Sequence, residues 1–174
     1  MSIAESTGST AEQGKYSGES TASLDDKGRM NIPMQFRMVM EVFDHDTWYC
    51  TRGWDNSIFL FDSKKWGELL KEMDMSSTLD PEMMDFRRFF IGGVAKVRRD
   101  NQGRIPLPQA LREYAGIDRE AVIIGVIDHL QVWSKETWRA YQARQAEQYK
   151  AMAVRLFGRK TGQIAATEGD AQGA

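Results

Sequence analysis

Two aspartate–arginine pairs, each spaced four residues apart with a glycine between, are the side chains in this sequence best arranged to do chemistry. They are Asp25-Asp26-Lys27-Gly28-Arg29 and Asp100-Asn101-Gln102-Gly103-Arg104. Arginine presents a planar fork of N–H donors that fits two acceptors at once, on a guanine edge or a phosphate. Glycine just before it supplies the positive φ that a hairpin turn needs. The arginine therefore starts a short strand and can project from the rim of a sheet. Asp25 and Asp100 can accept backbone N–H groups a residue or two on, and can brace the fork across the turn. The same arrangement also suits a plainer role, an internal ion pair that staples the hairpin. Lys27 adds a cation to the first turn, where the second has Gln102, so the two need not bind alike.

Catalytic readings are poorer. Asp25, Asp26 and Asp100 could hold a divalent metal for a nuclease, as clustered carboxylates do. Yet each aspartate lies in a turn beside an arginine, and no Glu or His joins them at a ligand spacing. His45 and His129 have no zinc-ligand pattern around them. Cys50, the single cysteine, follows Trp48 and Tyr49 in an apolar strand context where a buried thiol is inert. One cysteine also excludes a disulfide framework or a cysteine zinc cage within the chain. No Ser/His/Asp or phosphate-cradling glycine signature occurs. The expectation is a protein that is not an enzyme and uses no metal or cofactor.

Both turns belong to a longer phrase that occurs twice. Leu24 to Arg37 matches Arg99 to Arg112, with Asp25/Asp100, Gly28/Gly103, Arg29/Arg104, Pro33/Pro108 and Arg37/Arg112 identical. A second block follows each copy: Gly53 and then Ile58 to Trp66 pairs with Gly125 and then Leu130 to Trp138. The offset falls from 75 (Gly28 to Gly103) to 72 (Trp66 to Trp138), so the second copy has a loop three residues shorter. Such a self-match predicts a pseudo-symmetric fold. Each copy reads as strand, tight turn, short strand, helix, then two more strands. Pro33 and Pro108 fit the first helical position, before helices at Met34–Glu41 and Gln109–Ala115, and Gly116 fits a left-handed cap. The paired strands are Trp48–Arg52 with Ser57–Phe61, and Ala121–Val126 with Leu130–Trp133. Ser63–Met73 has one-face helical spacing. Asp80 and Pro81 open a helix that Gly92-Gly93 stops. Ser134 caps a last helix running towards Phe157.

Each copy spans only some 50 residues, too few to bury a core alone, so fusion of the copies, strand exchange or oligomerisation is expected. The opening residues are Ser, Thr, Gly, Ala and Glu with little to bury, and Gly158–Ala174 is similar; both are expected to be disordered. This gives a disordered tail at 1–15, a first unit at 16–66, a helical linker at 67–93, a second unit at 94–138, and a C-terminal helix and disordered tail at 139–174. No apolar run approaches membrane-spanning length and the start lacks a signal pattern, so a cytoplasmic protein with no membrane partner is expected. Net charge is −2, which argues against a generic nucleic-acid-coating protein. However, Phe86–Arg112 holds seven basic residues against the single acid Asp100, a local excess able to meet a polyanion.

Leu24-Asp25-Asp26-Lys27-Gly28-Arg29-Met30-Asn31-Ile32-Pro33-Met34-Gln35-Phe36-Arg37 and its later copy resemble the MraZ family of bacterial transcriptional regulators. Tyr16-Ser17-Gly18-Glu19 is similar to that family's opening, and Leu130-Gln131-Val132-Trp133 before Trp138 to its second-copy ending. The likeness covers about Tyr16 to Trp138. It implies an α+β fold of tandem SpoVT/AbrB-like units forming a pseudo-symmetric split β-barrel with flanking helices. It also implies a ring-shaped homo-oligomer, nucleoid-associated, that binds direct repeats in double-stranded DNA upstream of the cell-division and cell-wall gene cluster. The family's DNA-facing loops map onto Asp25, Lys27, Gly28 and Arg29, and onto Asp100, Gly103 and Arg104. This chain departs from the pattern in its longer ends and in Pro106, which demotes its segment to an edge or bulged strand. An AbrB-like antitoxin that masks a partner protein is the main alternative of another class. Such proteins usually carry one unit with a long amphipathic tail, whereas this chain has two units and polar tails.

Overall fold

A computed structural model describes residues 15–43, 45–75 and 79–168, with side chains up to residue 158. The expected tail at Met1–Gly14 lies outside the described residues. The chain divides into two compact units, Met1–Thr137 and Trp138–Ala174.

The first unit is α+β. Its strands are β1 (Tyr16–Ser23), β2 (Arg29–Asn31), β3 (Thr47–Arg52), β4 (Ile58–Asp62), β5 (Ala95–Arg98), β6 (Arg104–Pro106), β7 (Glu120–Ile127) and β8 (Leu130–Trp133). Its helices are α1 (Met34–Val42), α2 (Ser63–Asp74), α3 (Pro81–Phe90) and α4 (Gln109–Ala115); α5 (Lys135–Ala146) starts in it. Six strands form an antiparallel sheet in the order β1-β7-β8-β4-β3-β5, and β2 pairs with β6 in a separate ribbon. Exchanging the two copies turns β1 into β5, β7 into β3 and β8 into β4. That operation reads the strand order backwards onto itself, so the duplication is also a pseudo-twofold of the fold.

The pairing shows how two undersized copies share one core. The segment before the first turn and the strand after it were expected to form a hairpin. Instead a single bridge, Leu24 to Met30, closes that turn. β1 runs along β7 of the second copy, from Tyr16 opposite Ile127 to Ser23 opposite Glu120. In return β5 of the second copy pairs with β3 of the first. The post-turn strands then pair across the copies, Arg29 opposite Pro106, Met30 opposite Ile105 and Asn31 opposite Arg104. In a two-stranded ribbon every strand is an edge, which is where a proline lacking an N–H is tolerated. The strands thus cross between the two copies.

Alternation along β4 explains the layers. Ile58 and Leu60 point into the main core with Met30, Phe36, Trp48, Ile105, Leu111 and Ile123, while Phe59 and Phe61 join Trp66 and Phe90 in a second cluster on the other face. Tyr49 stacks on Trp66 with ring centroids 5.3 Å apart. Asp62 caps α2 by accepting the Lys65 N–H at 2.9 Å, and Asp80 caps α3 through the Glu82 N–H at 3.0 Å. Gly116 ends α4 at φ 64°, as expected. Pro33 and Pro108 sit one position earlier than expected, at the N-cap, where their carbonyls take the first helical bonds from Arg37 and Arg112 at 3.0 Å.

The second unit departs from the sequence reading. One helix was expected from Lys135 towards Phe157, but α5 stops at Ala146 and α6 (Tyr149–Glu168) begins after a tight turn, where Gln148 N–H donates to the Gln145 carbonyl at 3.0 Å. α6 runs on past Gly158 to Glu168, and the rest of the expected tail lies outside the described residues.

Candidate nucleic-acid interface

Each turn is built by its own aspartate. Asp25 Oδ1 accepts the N–H groups of Lys27 at 3.0 Å and Arg29 at 2.9 Å, and Gly28 N–H donates to the Asp25 carbonyl at 2.9 Å. Asp100 repeats this with Gln102 and Arg104, each at 2.9 Å, and with Gly103 N–H at 2.8 Å. Gly28 and Gly103 have φ of 73° and 76°, a backbone region that other residues enter at a cost. The other carboxylate oxygen holds the fork. Arg29 Nε and Nη2 lie 2.8 and 2.7 Å from Asp25 Oδ2, and Arg104 Nε and Nη2 each lie 2.8 Å from Asp100 Oδ2.

Because β2 and β6 pair across the copies, the two forks meet. Arg104 Nη1 is 3.3 Å from Asp25 Oδ2, and Arg29 Nη1 is 3.9 Å from Asp100 Oδ2. Two arginines and two aspartates close a ring of net charge zero at the pseudo-twofold. The ring is not symmetric. Arg29 is 33% exposed with its cross-copy contact beyond hydrogen-bond reach, whereas Arg104 is 21% exposed and within it. The internal staple weighed from sequence is therefore present in both turns, and it links the copies as well. Lys27, Asp26, Asn101 and Gln102 are exposed around it.

The Asp25 carboxyl is held down to about 2, mainly by the backbone N–H of Arg29 and then by its side chain. Asp100 is shifted the same way, chiefly by the Arg104 backbone N–H. A depressed carboxylate pKa stabilises the fold above the unfolded value, 3.8, and loses that contribution as pH falls through the folded one. Melting temperature should thus drop as pH falls from about 4 to 2. An Asp25→Asn/Asp100→Asn protein should melt lower at neutral pH and converge on the parent near the acid end of that window. A constant gap across the window would show that the carboxylate charges contribute nothing.

The basic stretch Phe86–Arg112 does not form one free patch. Arg88 pairs with Asp85 at 2.8 Å, Arg99 with Asp46 at 3.0 Å and Glu41 at 3.6 Å, and Arg87 donates to the Met73 carbonyl. Lys96 and Arg98 stay exposed on the edge strand β5. Sequence reasoning missed Arg119, whose carbonyl accepts the Leu24 N–H at 2.8 Å and whose side chain meets Asp26 at 3.2 Å. The equivalent position in the other copy is Asp46, whose carbonyl accepts the Arg99 N–H at 2.8 Å, so the arginine side chain is not repeated and no internal signal pointed to it.

The other polar groups are structural. Tyr16 Oη lies 2.8 Å from His45 Nδ1, and His129 Nδ1 is 2.8 Å from Asp128. Cys50 is fully buried and its thiol is pushed up to about 12. Among the described residues no group of three His, Cys, Asp or Glu could hold a metal ion, and no helix is long and apolar enough to cross a membrane.

Fold and site together define a duplicated α+β protein that displays two cross-braced Asp-x-x-Gly-Arg turns on one ribbon. Comparison with known proteins then gives the family. The model of the family described as "MraZ protein, putative antitoxin-like" matches residues 16–88 and again 90–160. Proteins named transcriptional regulator MraZ from Syntrophomonas wolfei and Thermomicrobium roseum are each 38% identical over 141 residues, and the one from Moorella thermoacetica is 35% identical over the same length. Each alignment covers 81% of this chain and 96% of the relative. The chain belongs to the MraZ family.

Proposed function

We propose that this protein is a transcriptional regulator that binds double-stranded DNA sequence-specifically through the turns Asp25–Arg29 and Asp100–Arg104. Its targets are direct repeats upstream of the cell-division and cell-wall gene cluster, so the protein is nucleoid-associated in the cytoplasm. The observation that carries the reading is the crossed ring of two arginines and two aspartates, half-exposed at the turns that lead into the β2–β6 ribbon. There the forks are oriented before any ligand arrives, which is what bidentate base recognition requires. Membership of a family whose relatives are named transcriptional regulators supports it. A metal-dependent nuclease is disfavoured, because Asp25 and Asp100 are already saturated by N–H donors and arginine forks.

The copies at 16–66 and 94–138, joined by the helical stretch 67–93, act as one split β-barrel, with the β2–β6 ribbon between the outer strands β1 and β5. Contacts of β1 with β2 and of β5 with β6 support this. The assembly is a ring of identical protomers. Its support is an asymmetry between two equivalent helices. α1 exposes Met34, Met38 and Val42 at one-face spacing, whereas α4 has Gln109 and Glu113 there, hydrogen-bonded to each other at 2.7 Å. An apolar stripe present once per protomer favours head-to-tail contact, the kind that closes rings.

A ring of protomers on repeated sites binds by effective concentration. A zero-charge site on a chain of net charge −2 gives little long-range attraction, so one repeat should bind poorly and three linked repeats tightly. A gel-shift titration in which one repeat binds as well as three would contradict the repeat reading. Light scattering at micromolar concentration should report more than a dimer, and a single 19.8 kDa protomer would contradict the ring.

A further inference from the structure

We propose that Arg37 and Arg112 are positioning residues that act across the copies, each holding the DNA-facing turn of the other copy. The proposal rests on the reading of those turns given above. A Cβ placed on Gly103 would lie 2.8 Å from Arg37 Nε and 2.9 Å from its Cζ, and one on Gly28 would lie 2.8 Å from both Nε and Cζ of Arg112. The guanidinium from each copy therefore rests against the turn glycine of the other, closer than any side chain there would allow. Gly28 and Gly103 then serve two purposes: they take up positive φ, and they leave room for an arginine from the other copy.

Each arginine is also tied to the strand exit of its own copy. Arg37 Nη2 donates to Asn31 Oδ1 at 3.1 Å and to the Ile32 carbonyl at 3.3 Å, and Arg112 Nε donates to the Leu107 carbonyl at 3.2 Å. Arg37 Nε is buried without a hydrogen-bond partner among the described residues, so packing on Gly103 outweighs the cost of that idle donor. The pair forms a reciprocal clamp outside the Asp–Arg ring, and it keeps Lys27–Arg29 and Gln102–Arg104 in one fixed relation. It also explains why Arg37 and Arg112 are identical in the two copies although they are eight residues beyond the turn arginines. Lysine, with no planar face and a more strongly hydrated head, cannot replace them.

The test uses the assembled full-length protein with Arg112→Ala, Arg112→Lys and Arg37→Ala, read by hydrogen exchange and by operator titration over salt. In Arg112→Ala, peptides covering the first turn should exchange at least about tenfold faster, and those covering the second turn much less affected. Arg37→Ala should show the reverse. Selectivity for operator over random duplex should fall about tenfold with an unchanged salt slope, and Arg112→Lys should behave like Arg112→Ala. Should alanine prevent assembly, the lysine variant carries the same comparison at unchanged charge. Equal loosening of both turns, loosening confined to the mutated copy, or rescue by lysine would overturn the proposal. So would a salt slope lower by about 0.9 with unchanged turn exchange, the mark of a direct phosphate contact. If the parent binds no DNA, the functional reading fails while hydrogen exchange still decides the clamp.

Discussion

Arg29→Ala is expected to weaken operator binding by about 1–3 kcal/mol for each repeat engaged, roughly five- to 150-fold, and to relax sequence preference. Arg104→Ala should lose less binding and more melting temperature. The first turn carries Lys27 where the second has Gln102, and the structure adds a geometric reason. Arg104 reaches across to Asp25 at 3.3 Å, while Arg29 Nη1 stands 3.9 Å from Asp100 and its side chain is the more exposed. One donor edge of Arg29 is thus available to a base without breaking the ring, whereas Arg104 must first give up a contact that joins the copies. Matched mutants, checked for assembly and then titrated on operator and random duplex, separate the cases. A uniform loss on all sequences with a salt slope lower by about one unit would show that Arg29 touches only phosphate. Intact operator affinity in a correctly assembled Arg29→Ala protein would refute the assignment.

Much of this was legible because the chain repeats itself. The turns, Gly28 and Gly103 at positive φ, the cap at Gly116 and the helix at Gln109–Ala115 all follow from local chemistry that a sequence displays directly. What was not legible is which copy each strand pairs with. Local pattern fixes that Arg29–Asn31 is a short strand, but a hairpin with its own flank and a ribbon with Arg104–Pro106 place the same side chains in the same alternation. The choice goes with the core: Met30 and Ile105 face each other in the ribbon, and both are fully buried there. The crossed contacts of Arg29, Arg104, Arg37 and Arg112 follow from that one pairing, which is why sequence could see four arginines without seeing that they meet. The stop of α5 at Ala146 was hidden for a different reason, since Gln145 to Gln148 contains no glycine or proline to announce it.

The ribbon pair itself should be the most sensitive point of the fold. Ile105→Ala is expected to cost about 2–5 kcal/mol, and Met30→Ala a similar amount, because both side chains are fully buried and face each other at the centre of the ribbon. Either loss is a large part of a total stability of about 5–15 kcal/mol. The double mutant should fall short of the sum of the singles, since the second truncation removes contacts the first has already emptied. Urea unfolding followed by far-ultraviolet circular dichroism, at one fixed protomer concentration, gives the three values. Function should fail before the fold does. The Asp–Arg ring closes only while Asn31, Met30 and Arg29 stay in register with Arg104, Ile105 and Pro106, so a slack ribbon separates the forks even in a folded chain. Ile105→Ala should therefore lose operator selectivity at temperatures well below its own melting transition, and loss of binding that merely tracks global unfolding would show that the ribbon does not position the site.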